Sequence, residues 1–271
     1  MFWALAAVVA ILGAVEAVPP FFAGVLVCAL VQRARREIAA DGLKEPCDAP
    51  AMISVVGNVG CGKSTALKQY ETDGMDDVLC VLEPLHEWAP MLREMETNER
   101  AWMDLQIAAA TFYATLTAPA NKDVVMTERD LMSVALFGGN RKGVATLLLA
   151  LVDIGAVMLP DVVVHVATPW EECLARVESK RRGQAGDAFA ANKGAEYFRA
   201  LDVRHDRLMH WYAAQGCLVI TLRSLDTAVL GLNEAREHAL AARTEGPRRK
   251  VTKAMMASLL ALLWPAPLDP L

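Results

Sequence analysis

Apolar residues recur in two rhythms along this chain. Short, nearly continuous runs such as Met52-Ile53-Ser54-Val55-Val56, Val78-Leu79-Cys80-Val81-Leu82 and Val162-Val163-Val164-His165-Val166 have the length of strands and no polar alternation. Runs of this kind suit a parallel sheet covered on both faces. Between them the apolar positions return at helical spacing, as on one face of a helix. The pattern predicts strands over 51–56, 78–82, 123–127, 161–166 and 217–222. It predicts helices over 63–72, 90–97, 100–117, 130–137, 142–158, 169–182, 193–214 and 226–243. Strands alternating with helices predict an α/β fold, a parallel sheet of about five strands with helices on both faces, wound right-handed. No internal repeat interrupts it.

The two ends break the rhythm. Residues 1–31 are almost wholly apolar apart from Glu16 and Pro19-Pro20, and Arg33, Arg35 and Arg36 follow. The run Ala17–Val31 would span roughly 22 Å as a helix, short of a ~30 Å hydrocarbon core. The longer stretch 2–31 suffices only if it carries Glu16 and the prolines. Two readings stay open: a membrane segment, or an apolar extension outside or against the folded unit. A basic n-region before the apolar run would mark a signal peptide, and an Arg-rich amphipathic start a mitochondrial presequence; neither pattern is present. Polar residues with Pro46 and Pro50 make 37–50 a linker. The expected organisation is therefore an extension 1–36, a linker 37–50, a catalytic domain 51–243 and a basic, then apolar, tail 244–271. The tail reads as a helix docked on its own domain or on a second subunit.

A length of 271 residues permits a substantial core. The net charge of -5 argues against a general nucleic-acid surface. Six cysteines (Cys28, Cys47, Cys61, Cys80, Cys173 and Cys217) lie far apart, with no paired or zinc-type spacing. They predict a reducing, cytoplasmic compartment and no structural metal.

The candidate chemistry begins where the first strand ends. Gly57-Asn58-Val59-Gly60-Cys61-Gly62-Lys63-Ser64-Thr65 has the spacing of a phosphate-binding loop between strand and helix. Its glycines let backbone N–H groups approach an anion, and the following helix N-terminus adds its positive end. Lys63 is a mobile cation for the outer phosphates of ATP, and Ser64 a hydroxyl for Mg²⁺. Glu83-Pro84 with Trp88 follows the second strand, and Glu128-Arg129 ends the third. In open α/β sheets these strand ends converge on one site. A carboxylate there can accept a proton from a substrate hydroxyl, and another can hold Mg²⁺.

The ordered set of phosphate loop, Glu83-Pro84…Trp88, Gln106, Glu128-Arg129 and Arg176…Arg182 resembles the deoxynucleoside kinases, including viral thymidine kinases and cellular deoxycytidine and deoxyguanosine kinases. The resemblance covers about Met52 to Ile220. It implies that Glu83 is the base for the 5′-hydroxyl, Arg129 its clamp and Glu128 a Mg²⁺-side carboxylate. It implies Gln106 on the Watson–Crick edge of the base, Trp88 as a pocket wall, and Arg176, Lys180 and Arg182 in a phosphate lid. It also implies a homodimer through helices such as 100–117 and 142–158. Three departures stand out. Met95 replaces a tyrosine that contacts the sugar 3′-hydroxyl. Ala185 replaces an acidic lid residue, with Asp187 or Glu196 as substitutes. Tyr113 and Val134 replace a charged pair above the base, which leaves room for a 5-methyl group and implies that thymidine is accepted. The expected activity is transfer of the ATP γ-phosphoryl group to a deoxynucleoside, thymidine or another pyrimidine favoured. The competing readings are a nucleoside monophosphate kinase of thymidylate type and a catalytically weak, membrane-attached nucleotide-binding regulator.

Overall fold

The computed structural model describes residues 50–265 apart from 74, 96–97, 117–120, 139–141, 181–184 and 247. The apolar segment 1–31, most of the linker, Cys28, Cys47 and the lid residue Arg182 lie outside the described residues. So does the side chain of Lys180.

Five strands form one parallel sheet in the order β2-β3-β1-β4-β5. They are β1 (Ala51–Val56), β2 (Val78–Val81), β3 (Val124–Glu128), β4 (Val162–Val166) and β5 (Leu218–Leu222). The helices are α1 (Lys63–Thr72), α2 (Leu85–Glu94), α3 (Glu99–Thr115), α4 (Leu131–Gly138) and α5 (Lys142–Asp153). They continue with α6 (Trp170–Lys180), α7 (Ala185–Ala214), α8 (Ala228–Glu245) and α9 (Lys253–Leu263). The predicted α/β architecture is the one observed.

Alternation along the strands divides the core in two. On β4, Val162, Val164 and Val166 enter one apolar cluster with Leu67 and Tyr70 of α1, Val177 of α6 and Leu232 of α8. Val163 points the other way, into a cluster with α3, α4, α5, α7 and α9. A strand buried on both sides gains nothing from polar alternation, which is why β4 reads as an apolar run. Apart from Leu232, the core side of α8 is made of small residues (Ala228, Gly231, Ala235 and Ala239), so this helix sits very close to the sheet. A Cβ on Gly231 would lie 2.2 Å from Leu222 Cδ2.

Several boundaries differ from the expectation. Helix α2 begins at Leu85, not near Pro90, because Trp88 and Leu92 on its first turns are needed in the core. Pro90 is carried inside the helix. Helix α5 stops at Asp153, not 158: Gly155 adopts φ 67°, and the N–H groups of Gly155 and Ala156 close back on the carbonyls of Val152 and Leu151. That left-handed cap suits glycine. Helix α7 starts at Ala185, eight residues earlier than predicted, and is bent at Gly194 (φ 69°). β5 is an edge strand with Leu218 42% exposed.

The tail docks on the body. Met256, Leu259 and Leu263 of α9 are buried, Trp211 Nε1 donates to Ser258 Oγ (3.1 Å), and Trp264 Nε1 donates to the Ala135 carbonyl of α4 (2.8 Å). Lys253 pairs with Asp153 at the end of α5 (2.8 Å). The chain's own C-terminal helix thus covers part of α5, one of the helices expected to pair two copies. No described helix is long and apolar enough to cross a membrane.

Candidate active site

The phosphate loop, residues 57–62, links β1 to α1 and is anchored by α6, α7 and the turn between β4 and α6. Asn58 Nδ2 donates to the Phe198 carbonyl of α7 (3.0 Å), while Asn58 Oδ1 accepts from Val59 N (2.8 Å). The Cys61 carbonyl accepts from Thr168 Oγ1 (2.9 Å) and Arg176 Nη1 (3.2 Å). Lys63 is 4% exposed, and its ammonium donates to the carbonyls of Gly57 (3.2 Å) and Asn58 (2.9 Å), which keeps the cation inside the curve of the loop. Gly60 has φ 77°, and a Cβ there would meet the Cys173 carbonyl at 2.8 Å. Backbone cannot move aside as a side-chain tip can. Gly60→Ala is therefore expected to weaken ATP binding by about tenfold or more, measured by nucleotide titration; unchanged affinity would show that the loop tolerates a side chain.

A second cluster faces the loop. Ser64 Oγ donates to Glu128 Oε1 (2.7 Å), and Glu128 Oε2 accepts from Glu83 N (3.4 Å). The Glu83 carboxylate is 7% exposed and pairs through Oε2 with Arg129 Nη1. Burial by itself lowers the Arg129 pKa, but the charge and hydrogen bond of Glu83 more than reverse this and leave it raised. Arg129 also lies over the Phe137 ring, 4.7 Å from its centroid. Its backbone is left-handed, φ 65°, the only non-glycine residue of positive φ among the described residues. Two contacts hold it there: Arg129 N donates to Val55 O (2.8 Å), and Thr127 Oγ1 donates to Arg129 O (2.6 Å). Strain of this kind marks sites where the surroundings impose a conformation. Asp130 follows, capping α4 through Met132 N (3.0 Å) and Ser133 N (3.3 Å) and accepting from the Tyr212 hydroxyl.

Phosphate loop and carboxylates open on one cavity of about 830 Å³. Its apolar part is walled by Trp88, Met95, Trp102, Val134, Phe137 and Tyr197, and Gln106 lines it from α3, 6% exposed. Gln106 therefore faces the cavity and not solvent. Arg176 lines the same cavity and is paired with Glu172. Tyr113 lines it too, but its hydroxyl reaches Glu83 Oε1 (3.1 Å) and the Glu128 carbonyl (3.0 Å), a contact the sequence did not announce. Glu196, suggested as a substitute acid, lies instead along a separate groove with Arg199, Arg204 and Trp264. The side chain of Asp187 is outside the described residues. Trp102, Phe137 and Tyr197 were missed. Their only signal is an aromatic residue on each of three helices, α3, α4 and α7, which core packing explains as well.

Behind the loop, His165 of β4 stacks on His205 of α7 with ring centroids 6.4 Å apart. Burial lowers the pKa of both, His205 well below its usual value, so neither adds charge beside Lys63. The Ser64 hydroxyl and Glu128 carboxylate are hard oxygen donors suited to Mg²⁺, which takes few protein ligands beside substrate phosphates. Among the described residues no group of three or more His, Cys, Asp or Glu side chains is placed to hold a metal.

Residues 53–243 match the family model described as deoxynucleoside kinase. The chain belongs to the deoxynucleoside kinase family. It is an ATP-dependent nucleoside kinase. Among solved structures, its fold is similar to deoxyadenosine kinase from M. mycoides with products dCMP and a flexible dCDP bound. That match has a TM-score of 0.55 at 15% identity and covers 69% of this chain and 99% of the other. The structure of deoxyadenosine kinase from M. mycoides with bound dCTP matches at a TM-score of 0.53, with 15% identity and the same coverage. At that identity the likeness speaks for the fold of this kinase alone. A comparison with curated proteins returns no match.

Proposed function

We propose that this kinase transfers the γ-phosphoryl group of ATP to the 5′-hydroxyl of a deoxynucleoside, with thymidine or another pyrimidine favoured. The observation that carries the reading is the Glu83 carboxylate, gripped by Arg129 beside the phosphate loop and at the rim of a cavity that holds Gln106. Glu83 takes the proton of the 5′-hydroxyl as its oxygen bonds to the γ-phosphorus. The bond to the bridging oxygen breaks, and ADP leaves. Lys63 and the loop N–H groups hold the phosphates, and by the family resemblance Arg176, Lys180 and Arg182 would supply positive charge to the transferred group. Ser64 and Glu128 would hold Mg²⁺, which supplies positive charge on the phosphate oxygens when bound. Gln106 both donates and accepts along the base edge, with Trp88 as a wall. Neither Tyr113 nor Val134 brings a charge above the base, which favours a 5-methylpyrimidine.

The remaining reading rests on sequence. The catalytic domain is 51–243, joined through 37–50 to an apolar extension 1–36 that is read either as a membrane segment or as an extension outside or against the folded unit, and the site faces a reducing cytoplasm. Two copies pair through α3 and the part of α5 left open by α9.

The test is phosphate transfer from ATP-Mg²⁺ by the full chain to the four deoxynucleosides and thymidine monophosphate. Thymidine should be phosphorylated at least as well as any other. Turnover of deoxycytidine or purines with thymidine ignored at saturation would overturn the base preference. Turnover of the monophosphate alone would make this a monophosphate kinase, and binding of ATP without any turnover would favour the regulatory reading.

A further inference from the structure

The carboxylate of Glu83 is held at both oxygens, from two different elements. Arg129, on the turn after β3, donates to Oε2, and Tyr113, on the last turns of α3, offers its hydroxyl to Oε1 at 3.1 Å. The same hydroxyl lies 3.0 Å from the Glu128 carbonyl, so a single phenolic proton stands between two acceptors that bracket the site. The ring is set by an edge-to-face contact with Phe112 (5.1 Å between centroids), which in turn meets Trp88 the same way (5.9 Å). Burial, with Glu83 beside it, raises the Tyr113 pKa well above a phenol's usual value, which leaves a neutral donor that keeps its proton.

One donor does not fix a carboxylate. The terminal torsion of Glu is broad, so a group held by Arg129 alone can swing its plane about that contact. A second donor on the other oxygen removes the swing. We propose that Tyr113 is a positioning residue for the base: it fixes the plane of the Glu83 carboxylate so that the lone pairs left over face the acceptor hydroxyl. Tyr113 transfers no proton itself. The inference rests on the reading of Glu83 as the base.

The experiment is a kinetic cycle with thymidine and ATP-Mg²⁺ on the full chain. Tyr113→Phe keeps the ring and its contact with Phe112 and removes only the hydroxyl. It should lower kcat about tenfold, with both KM values within about threefold and the melting temperature nearly kept. In a Glu83→Asp background the carboxylate is one methylene too short for the phenol, and Tyr113→Phe should then cost less than about twofold. Equal losses in the two backgrounds, or a raised nucleoside KM with kcat unchanged, would make Tyr113 a wall of the pocket and overturn the proposal while leaving Glu83 as base. Full activity in Glu83→Gln would remove the base reading and this inference with it.

Discussion

Glu83→Gln should lower kcat for phosphoryl transfer by roughly 10²- to 10⁴-fold, the range a positioned general base contributes. The amide is nearly the same shape, so the cavity and the approach of the nucleoside are kept. What is lost is the proton acceptor. KM for ATP should change little, because the phosphate loop is anchored through Asn58, Thr168 and Arg176 and not through Glu83. The measurement is steady-state kinetics beside an ATP-binding titration that verifies the folded loop. A loss of less than tenfold would mean that the acceptor hydroxyl is deprotonated elsewhere or that positioning alone carries the rate.

Arg129→Met is expected to cost about 3–5 kcal/mol of stability, as for a buried ion pair that loses one partner. The Glu83 side chain is 7% exposed and its partner 11%, so the orphaned carboxylate has little access to water. Met fills most of the same volume over Phe137, which confines the loss chiefly to charge. Glu83→Leu added to Arg129→Met should recover much of the stability, because no uncompensated charge is then buried, while the double variant stays inactive. Urea unfolding of the two variants beside the parent checks this. A cost below about 1 kcal/mol for the single change would show that the pair is solvated well enough to do without its cation.

Most of this site was legible because its parts are local. The phosphate loop is one continuous motif whose strand and helix flanks announce themselves, and Glu83 and Glu128 sit at the ends of apolar runs. Gln106 was legible only through the family resemblance. On spacing alone it could equally have lain on the exposed side of α3, and the packing of Trp102 and Gly138 around it turns it inward. Tyr113 was legible as a cavity residue but not as a partner of Glu83, because that contact joins positions 30 residues apart and depends on the tilt of α3. Tyr197 and Phe137 were invisible, since an aromatic residue on a helix has the same pattern whether it faces core or cavity. Glu196 was a fair substitute by charge, but the turn of α7 after Gly194 sends it to the outer groove.

By itself, the sequence determined the class of fold, the parallel sheet, the phosphate loop and the order in which the chemical groups reach the strand ends. Those depend on periodicity and on contacts within a few residues, where the chain carries its own instructions. The tertiary structure alone decided the left-handed turn at Arg129, the two-sided grip on Glu83, the meeting of Ser64 with Glu128 across 64 positions, and the cover of α9 over α5. Each of these needs elements distant in sequence to be packed first. Only then does burial make an unpaired carboxylate or an exposed apolar helix face costly enough to select one arrangement.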